Sequence, residues 1–124
     1  MAKILIIEDD AMLAEIYKDK LGSEKHKIFV AYDVEEGLES AKKNKPDLIL
    51  LDILLPRENG LSFLKKIRSD SEIADCKVIA FSNYDVPETK AEAYQLGVVE
   101  YLIKTAYTPQ EVVEKIENYL QNKV

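Results

Sequence analysis

The sequence predicts an α/β fold in which a parallel five-stranded sheet carries helices on both faces. Three observations point there. Short apolar runs recur five times along the chain, each followed by a longer amphipathic stretch, which is the rhythm of βα units. Two of the runs, residues 4–7 and 48–51, are apolar throughout rather than alternating, as expected of central strands covered on both sides. No repeat, low-complexity tract or Pro/Ser-rich linker interrupts the 124 residues, so the chain reads as one domain over 1–124.

Each element has its own signal. The first strand is expected at 4–7, and after it Leu13, Ile16, Tyr17 and Leu21 recur at helical spacing, with Gly22 placed for a left-handed helix end. The second strand is expected at 28–31. Asp33 and Glu36 then have capping-box spacing ahead of Leu38 and Ala41, and Pro46 stands beyond that helix. The third strand, 48–51, precedes a helix whose face is marked by Leu61, Leu64 and Ile67. The fourth, 78–81, is followed by Pro87 at an early helical position and by Gly97 as a stop. The fifth run, 98–103, is interrupted by Glu100. The last helix has the clearest start, Thr108-Pro109-Gln110-Glu111, and a buried face of Val112, Val113, Ile116, Tyr119 and Leu120. Joined by right-handed crossovers, five βα units form a doubly wound sheet. The flavodoxin-like order 2-1-3-4-5 sets strands one and three side by side at the topological switch point, where ligands bind beyond the carboxyl ends of the strands.

Composition excludes several classes of function. A chain this long buries roughly two-thirds of its unfolded surface, so its core needs no staples. Cys76 is the single cysteine and cannot form an intrachain disulfide. The N-terminus lacks a signal-peptide pattern, and a cytoplasmic location is expected. The apolar runs fall far short of the roughly 20 residues that span a bilayer, so no membrane insertion is expected. Seventeen basic against 23 acidic side chains give a net charge of −6, which argues against direct nucleic-acid binding.

The chemistry collects at the strand ends. Strand one ends in Glu8-Asp9-Asp10, strand three in Asp52, strand four in Ser82-Asn83 and strand five in Lys104. Carboxylates crowded into one cleft repel one another unless a cation intervenes. All-oxygen donors select a hard divalent ion, and a site with few protein ligands suits Mg²⁺, with Mn²⁺ as a substitute. Asp52 ends an all-apolar run, where an ionised group is costly unless paired or metal-bound, so it is the candidate nucleophile toward a phosphoryl group. Lys104, the Ser82 hydroxyl and nearby backbone N–H groups would neutralise the developing charge. Asp10 reads as the cap of the first helix. A phosphatase of the aspartyl-phosphate type would need a second Asp two residues after the nucleophile, where Leu54 stands. A flavodoxin-type nucleotide binder would need a Gly-rich loop after strand one, and none is present.

Taken together, these residues resemble the receiver domains of two-component response regulators over essentially the whole chain. The matching motifs are Ile4-Leu5-Ile6-Ile7-Glu8-Asp9-Asp10, Asp47-Leu48-Ile49-Leu50-Leu51-Asp52-Ile53-Leu54-Leu55-Pro56 with Asn59-Gly60-Leu61, Val78-Ile79-Ala80-Phe81-Ser82, and Glu100-Tyr101-Leu102-Ile103-Lys104. The resemblance implies that Asp52 accepts a phosphoryl group from a phosphohistidine on a sensor histidine kinase or histidine phosphotransfer protein. It also implies that Asp9, Asp52 and the Leu54 backbone carbonyl bind Mg²⁺ directly, that Glu8 acts through water, and that Lys104 pairs with the phosphoryl group. Ser82 and Tyr101 take the two switch positions, and the Asn83 backbone lies beside the phosphoryl site. The implied readout face is helix four, strand five and helix five, where a downstream protein binds; a phosphorylation-dependent dimer is one form such output can take. The module would catalyse only its own phosphorylation and dephosphorylation.

Three departures from the usual pattern stand out. Lys104 is followed by Thr105 rather than Pro, so a trans peptide is expected there. Asn83 stands where a small residue is usual, which narrows access. Leu54 and Tyr84, two residues beyond Asp52 and Ser82, carry nothing that would orient a hydrolytic water, so slow self-dephosphorylation is expected. The chain is expected to act as a stand-alone module, with a phosphorylation-independent adaptor as the alternative reading. His26 reads as a surface residue and Cys76 as a small, partly buried one. Tyr94, Tyr101 and Tyr107 fall on or near the readout face.

Overall fold

The computed structural model describes residues 1–121, and residues 122–124 lie outside the described residues. In chain order the elements are β1 (Lys3–Ile7), α1 (Ala11–Gly22), β2 (Lys27–Ala31), α2 (Val34–Asn44), β3 (Leu48–Leu51), α3 (Gly60–Arg68), β4 (Lys77–Ser82), α4 (Pro87–Gln95), β5 (Glu100–Ile103) and α5 (Pro109–Gln121), with a 3-10 turn at Lys104–Ala106. The strands are parallel in the order β2-β1-β3-β4-β5, as the sequence predicts. Side chains alternate across a strand, and β1 from Ile4 onward and β3 throughout are apolar because both faces are covered. Leu5, Ile7, Ile49 and Leu51 pack with Phe63, Leu64 and Ile67 of α3 on one side. Ile4, Ile6, Leu48 and Leu50 pack with Tyr17 and Leu21 of α1 and Val112 and Ile116 of α5 on the other.

Local chemistry sets the helix starts. Asp10 accepts from the N–H groups of Met12 and Leu13, which makes it the cap of α1 as expected. Asp33 accepts from the Glu36 N–H at 2.8 Å, while the Glu36 carboxylate reaches back to the Tyr32 N–H. Thr108 and Glu111 form the reciprocal capping box that opens α5. Pro87 occupies the first turn of α4, and Gly97 beyond it has a φ of +86°.

Four local expectations are corrected. Gly22 is the last residue of α1 and is not left-handed; the Ser23 N–H closes the helix onto the Asp19 carbonyl, and the chain reverses only at Lys25, with φ of 70°. The buried stripe of α1 is Ala14, Tyr17 and Leu21, which leaves Ile16 exposed. β5 starts at Glu100 because Val98 is still engaged with the end of α4, its N–H bonding the Ala93 carbonyl. His26 is no surface residue. Its ring is enclosed between the N-terminus, where Nδ1 accepts from the Ala2 N–H at 3.1 Å, and α5, where Nε2 meets Glu117.

Gly60 at the start of α3 makes the closest approach to the strand ends. A Cβ there would lie 2.6 Å from the Asp52 carbonyl oxygen and 2.9 Å from the Ile53 Cα, and neither backbone atom can swing aside. Gly60→Ala is therefore expected to destabilise the protein by about 1–3 kcal/mol, as overpacking does, in a chemical denaturation experiment. A midpoint equal to the wild type would contradict this contact.

Candidate functional site

The carboxyl ends of β1 and β3 deliver the acidic residues side by side because the ladder runs one bond past each strand. The Glu8 N–H bonds the Ala31 carbonyl at 3.0 Å, and the Asp52 N–H bonds the Ile7 carbonyl at 2.9 Å. Glu8, Asp9 and Asp52 each bring a carboxylate oxygen into one cluster, all within 4.8 Å of one another. Their environments differ sharply: Glu8 and Asp52 are buried, and Asp9 is exposed. Asp10 turns away to cap α1, and its backbone N–H donates to Glu8 Oε2 at 3.1 Å.

Lys104, at the end of β5, reaches across the sheet to both buried carboxylates. Its Nζ lies 3.0 Å from Asp52 Oδ2 and 2.6 Å from Glu8 Oε1. The second contact is an ion pair without good hydrogen-bond alignment, so buried Glu8 Oε1 has no hydrogen-bond partner. Phe81 supports the ammonium with its ring 5.5 Å away. The other Asp52 oxygen, Oδ1, accepts from the Leu54 N–H at 3.2 Å.

Burial, reinforced by the charge of Asp52, raises the Glu8 carboxyl from 4.5 to about 7 against the opposing pull of Lys104. Burial alone would lower the Lys104 ammonium, but its close contact with the Glu8 carboxylate and the charge of Asp52 outweigh it and raise the value. Burial also pushes the Tyr17 phenol up to about 12, helped by the Glu8 charge. The site thus holds more negative charge than one lysine satisfies. Hard oxygen donors that converge, with two buried carboxylates sharing a single ammonium, suit a divalent cation.

The hydroxyl side of the cleft is built by β4. Ser82 is buried, and its Oγ accepts from the Tyr84 N–H at 3.1 Å. Tyr101 is buried, with its hydroxyl donating to the Tyr84 carbonyl at 2.6 Å. Burial raises its phenol pKa against a hydrogen bond from Ser82, which lowers it. The Lys104–Thr105 peptide is trans, since there is no cis peptide bond among the described residues. Asn83 turns its side chain to the Thr105 N–H, at 3.1 Å. Leu54 and Tyr84 stand at the rim, 51% and 38% exposed.

Several contacts lie beyond what sequence reasoning named. The Arg68 guanidinium bonds the carbonyls of Ala74, Cys76, Leu96 and Gly97, which ties the end of α3 to the loops before β4 and β5. Tyr94 accepts the backbone N–H of Tyr101 on its hydroxyl at 3.0 Å, and Asn59 caps α3. Only Asn59 carried a local signal, a capping residue one position before the helix. A cavity of about 580 Å³ lies at the opposite, amino-terminal edge of the sheet, lined by His26, Asp47, Lys77 and Glu117, and takes no part in this chemistry.

Comparison with known proteins agrees with this arrangement. Residues 4–117 match the response regulator receiver domain. The response regulator ArlR of Staphylococcus saprophyticus is 34% identical over 124 residues, which are 99% of this chain and 54% of that protein. The chain thus spans about half the length of the curated relatives it matches. A two-component response regulator from Clostridium difficile superimposes with a TM-score of 0.89 at 29% identity, covering 98% of each chain. A CheY-like receiver domain protein from Methanospirillum hungatei does so with a TM-score of 0.89 at 28% identity, covering 97% of this chain and 94% of that one. With these motifs, this sheet order and this acidic cleft, the chain belongs to the response regulator receiver domain family of two-component systems, a signalling module rather than a turnover enzyme.

Proposed function

We propose that Asp52 is the phosphoacceptor of this receiver and that its phosphorylation switches the α4-β5-α5 face. The observation that carries this is the buried Asp52 carboxylate with Lys104 Nζ on one oxygen and Glu8 and Asp9 beside it. A carboxylate oxygen attacks phosphorus, a P–O bond forms, and the P–N bond of a donor phosphohistidine breaks with its electron pair returning to the imidazole. Asp9, Asp52 and the Leu54 carbonyl would hold Mg²⁺ or Mn²⁺, with Glu8 behind them. When bound, the ion neutralises charge on the phosphoryl oxygens. Lys104 holds the opposite side of the group, and the Ser82 hydroxyl and Asn83 backbone line the position that it enters. The donor is a sensor histidine kinase or histidine phosphotransfer protein in the cytoplasm, and the output is a protein contact, with a downstream partner or a second copy. The domain, 1–124, carries all these residues.

Intact-mass spectrometry after incubation with acetyl phosphate, with and without Mg²⁺, tests the proposal. A single Mg²⁺-dependent phosphoryl adduct is expected, and a folded protein that takes none overturns the assignment. The adduct should be long-lived because Leu54 and Tyr84 offer incoming water no orienting group. Tyr84→Glu combined with Leu54→Asn is expected to accelerate its loss, and an unchanged lifetime would assign the hydrolysis rate elsewhere.

The raised Glu8 pKa gives a further expectation. A carboxyl raised from 4.5 to about 7 on folding adds stability below pH 4.5, where it is protonated in both states, and loses it as pH rises through 7. Without metal the melting temperature should therefore fall across that window. Mg²⁺ should flatten the fall by replacing the proton, and Glu8→Gln should remove it; a slope that persists in Glu8→Gln would locate it in another group.

A further inference from the structure

The last register pair between β4 and β5 is Ser82 with Ile103, and beyond it the two chains diverge into a loop and a 3-10 turn. That turn, Lys104–Ala106, begins without a side-chain cap from Ile103. The first N–H groups of a helical turn have no partner within it. One of them, on Thr105, points at Asn83 Oδ1, 3.1 Å away. The Asn83 side chain thus adds one more rung past the end of the ladder. We propose that Asn83 is a positioning residue for Lys104, holding through the Thr105 N–H the turn from which the ammonium reaches Asp52 and Glu8.

Lysine carries four flexible side-chain bonds, and an ammonium shared between two carboxylates depends on where its backbone is anchored. The head group is fixed at 3.0 Å from Asp52 Oδ2 and 2.6 Å from Glu8 Oε1, and Phe81 limits its path from one side. The main chain of Lys104 is held on its far side by the adjacent Thr105 amide. A proline at 105 would have no N–H to give, so the threonine and the asparagine act as a pair.

The kinetic consequence rests on Asp52 being the phosphoacceptor; the bond itself does not. Two measurements keep these apart. Amide hydrogen exchange at Thr105, in unphosphorylated protein, should be about fivefold faster in Asn83→Ala and Asn83→Leu, which lose the acceptor, and stay near wild type in Asn83→Asp, which keeps it. The acetyl phosphate reaction should slow about three- to tenfold in both Asn83→Ala and Asn83→Leu, since the second retains the bulk and loses only the bond. If the side chain acted as an obstruction instead, Asn83→Ala would react faster than wild type, and that result overturns the proposal. So does unchanged Thr105 exchange. A wild-type protein that takes no phosphoryl group fails the Asp52 assignment, and the exchange data still decide the clamp.

Discussion

Asp52→Asn is expected to leave the mass of the protein unchanged after incubation with acetyl phosphate and Mg²⁺, under conditions that convert the wild type to a single adduct. The amide has the shape of the carboxylate and keeps an oxygen for the Leu54 N–H, which now donates to Oδ1. It lacks the negative charge and nucleophilicity that attack on phosphorus requires. The fold should survive, because the substitution removes one of two neighbouring buried carboxylates and with it part of their repulsion. The Glu8 carboxyl should then titrate at lower pH than in wild type, since the Asp52 charge is one of the causes that raise it. Its titration, followed by NMR of the side-chain carbon, is a check on folding and electrostatics at once. An adduct of undiminished yield in Asp52→Asn would move the phosphoacceptor to another residue.

Lys104→Ala is expected to give the largest loss of stability, and one that depends on metal and pH. The ammonium sits between two buried carboxylates, and removing one partner of a buried ion pair costs about 3–5 kcal/mol because the other charge is stranded. Glu8 can escape part of that cost by holding its proton, so the loss should be greatest above pH 7 and smaller near pH 5, where Glu8 is neutral. Mg²⁺ should recover much of the difference. Phosphorylation should fall by about 10²–10³-fold, the scale for deleting one preorganised donor to a developing charge. Urea denaturation at pH 5 and pH 8, with and without Mg²⁺, reads the stability effect. Equal losses in all four conditions would mean that Lys104 contributes through its packing on Phe81 rather than through charge.

The sheet order and the addresses of the site residues were legible in the sequence, for reasons that are local. All-apolar runs identify strands covered on both faces, capping residues such as Asp10, Asp33 and Thr108 mark helix starts, and short connections leave one sensible winding. A residue that ends a central strand must then lie at the switch point, which places Asp52 beside Glu8 without further information.

What tertiary structure decided is how neighbours in sequence part company in space. Glu8 and Asp9 are adjacent carboxylates that reach the same cluster, yet one is buried against Lys104 and the other stays exposed, a difference set by what packs around each of them beyond the end of β1. His26 looked like a surface residue among Glu24, Lys25 and Lys27, and the partner that encloses it, Glu117, is on α5. Asn83 looked like bulk in the cleft, and the group that turns it aside is an amide 22 positions away. Apolar periodicity and capping act over a few residues and can be read along the chain. The partner of a polar side chain is chosen by whichever donor or acceptor the packed elements bring within hydrogen-bond reach, and only the folded chain fixes that.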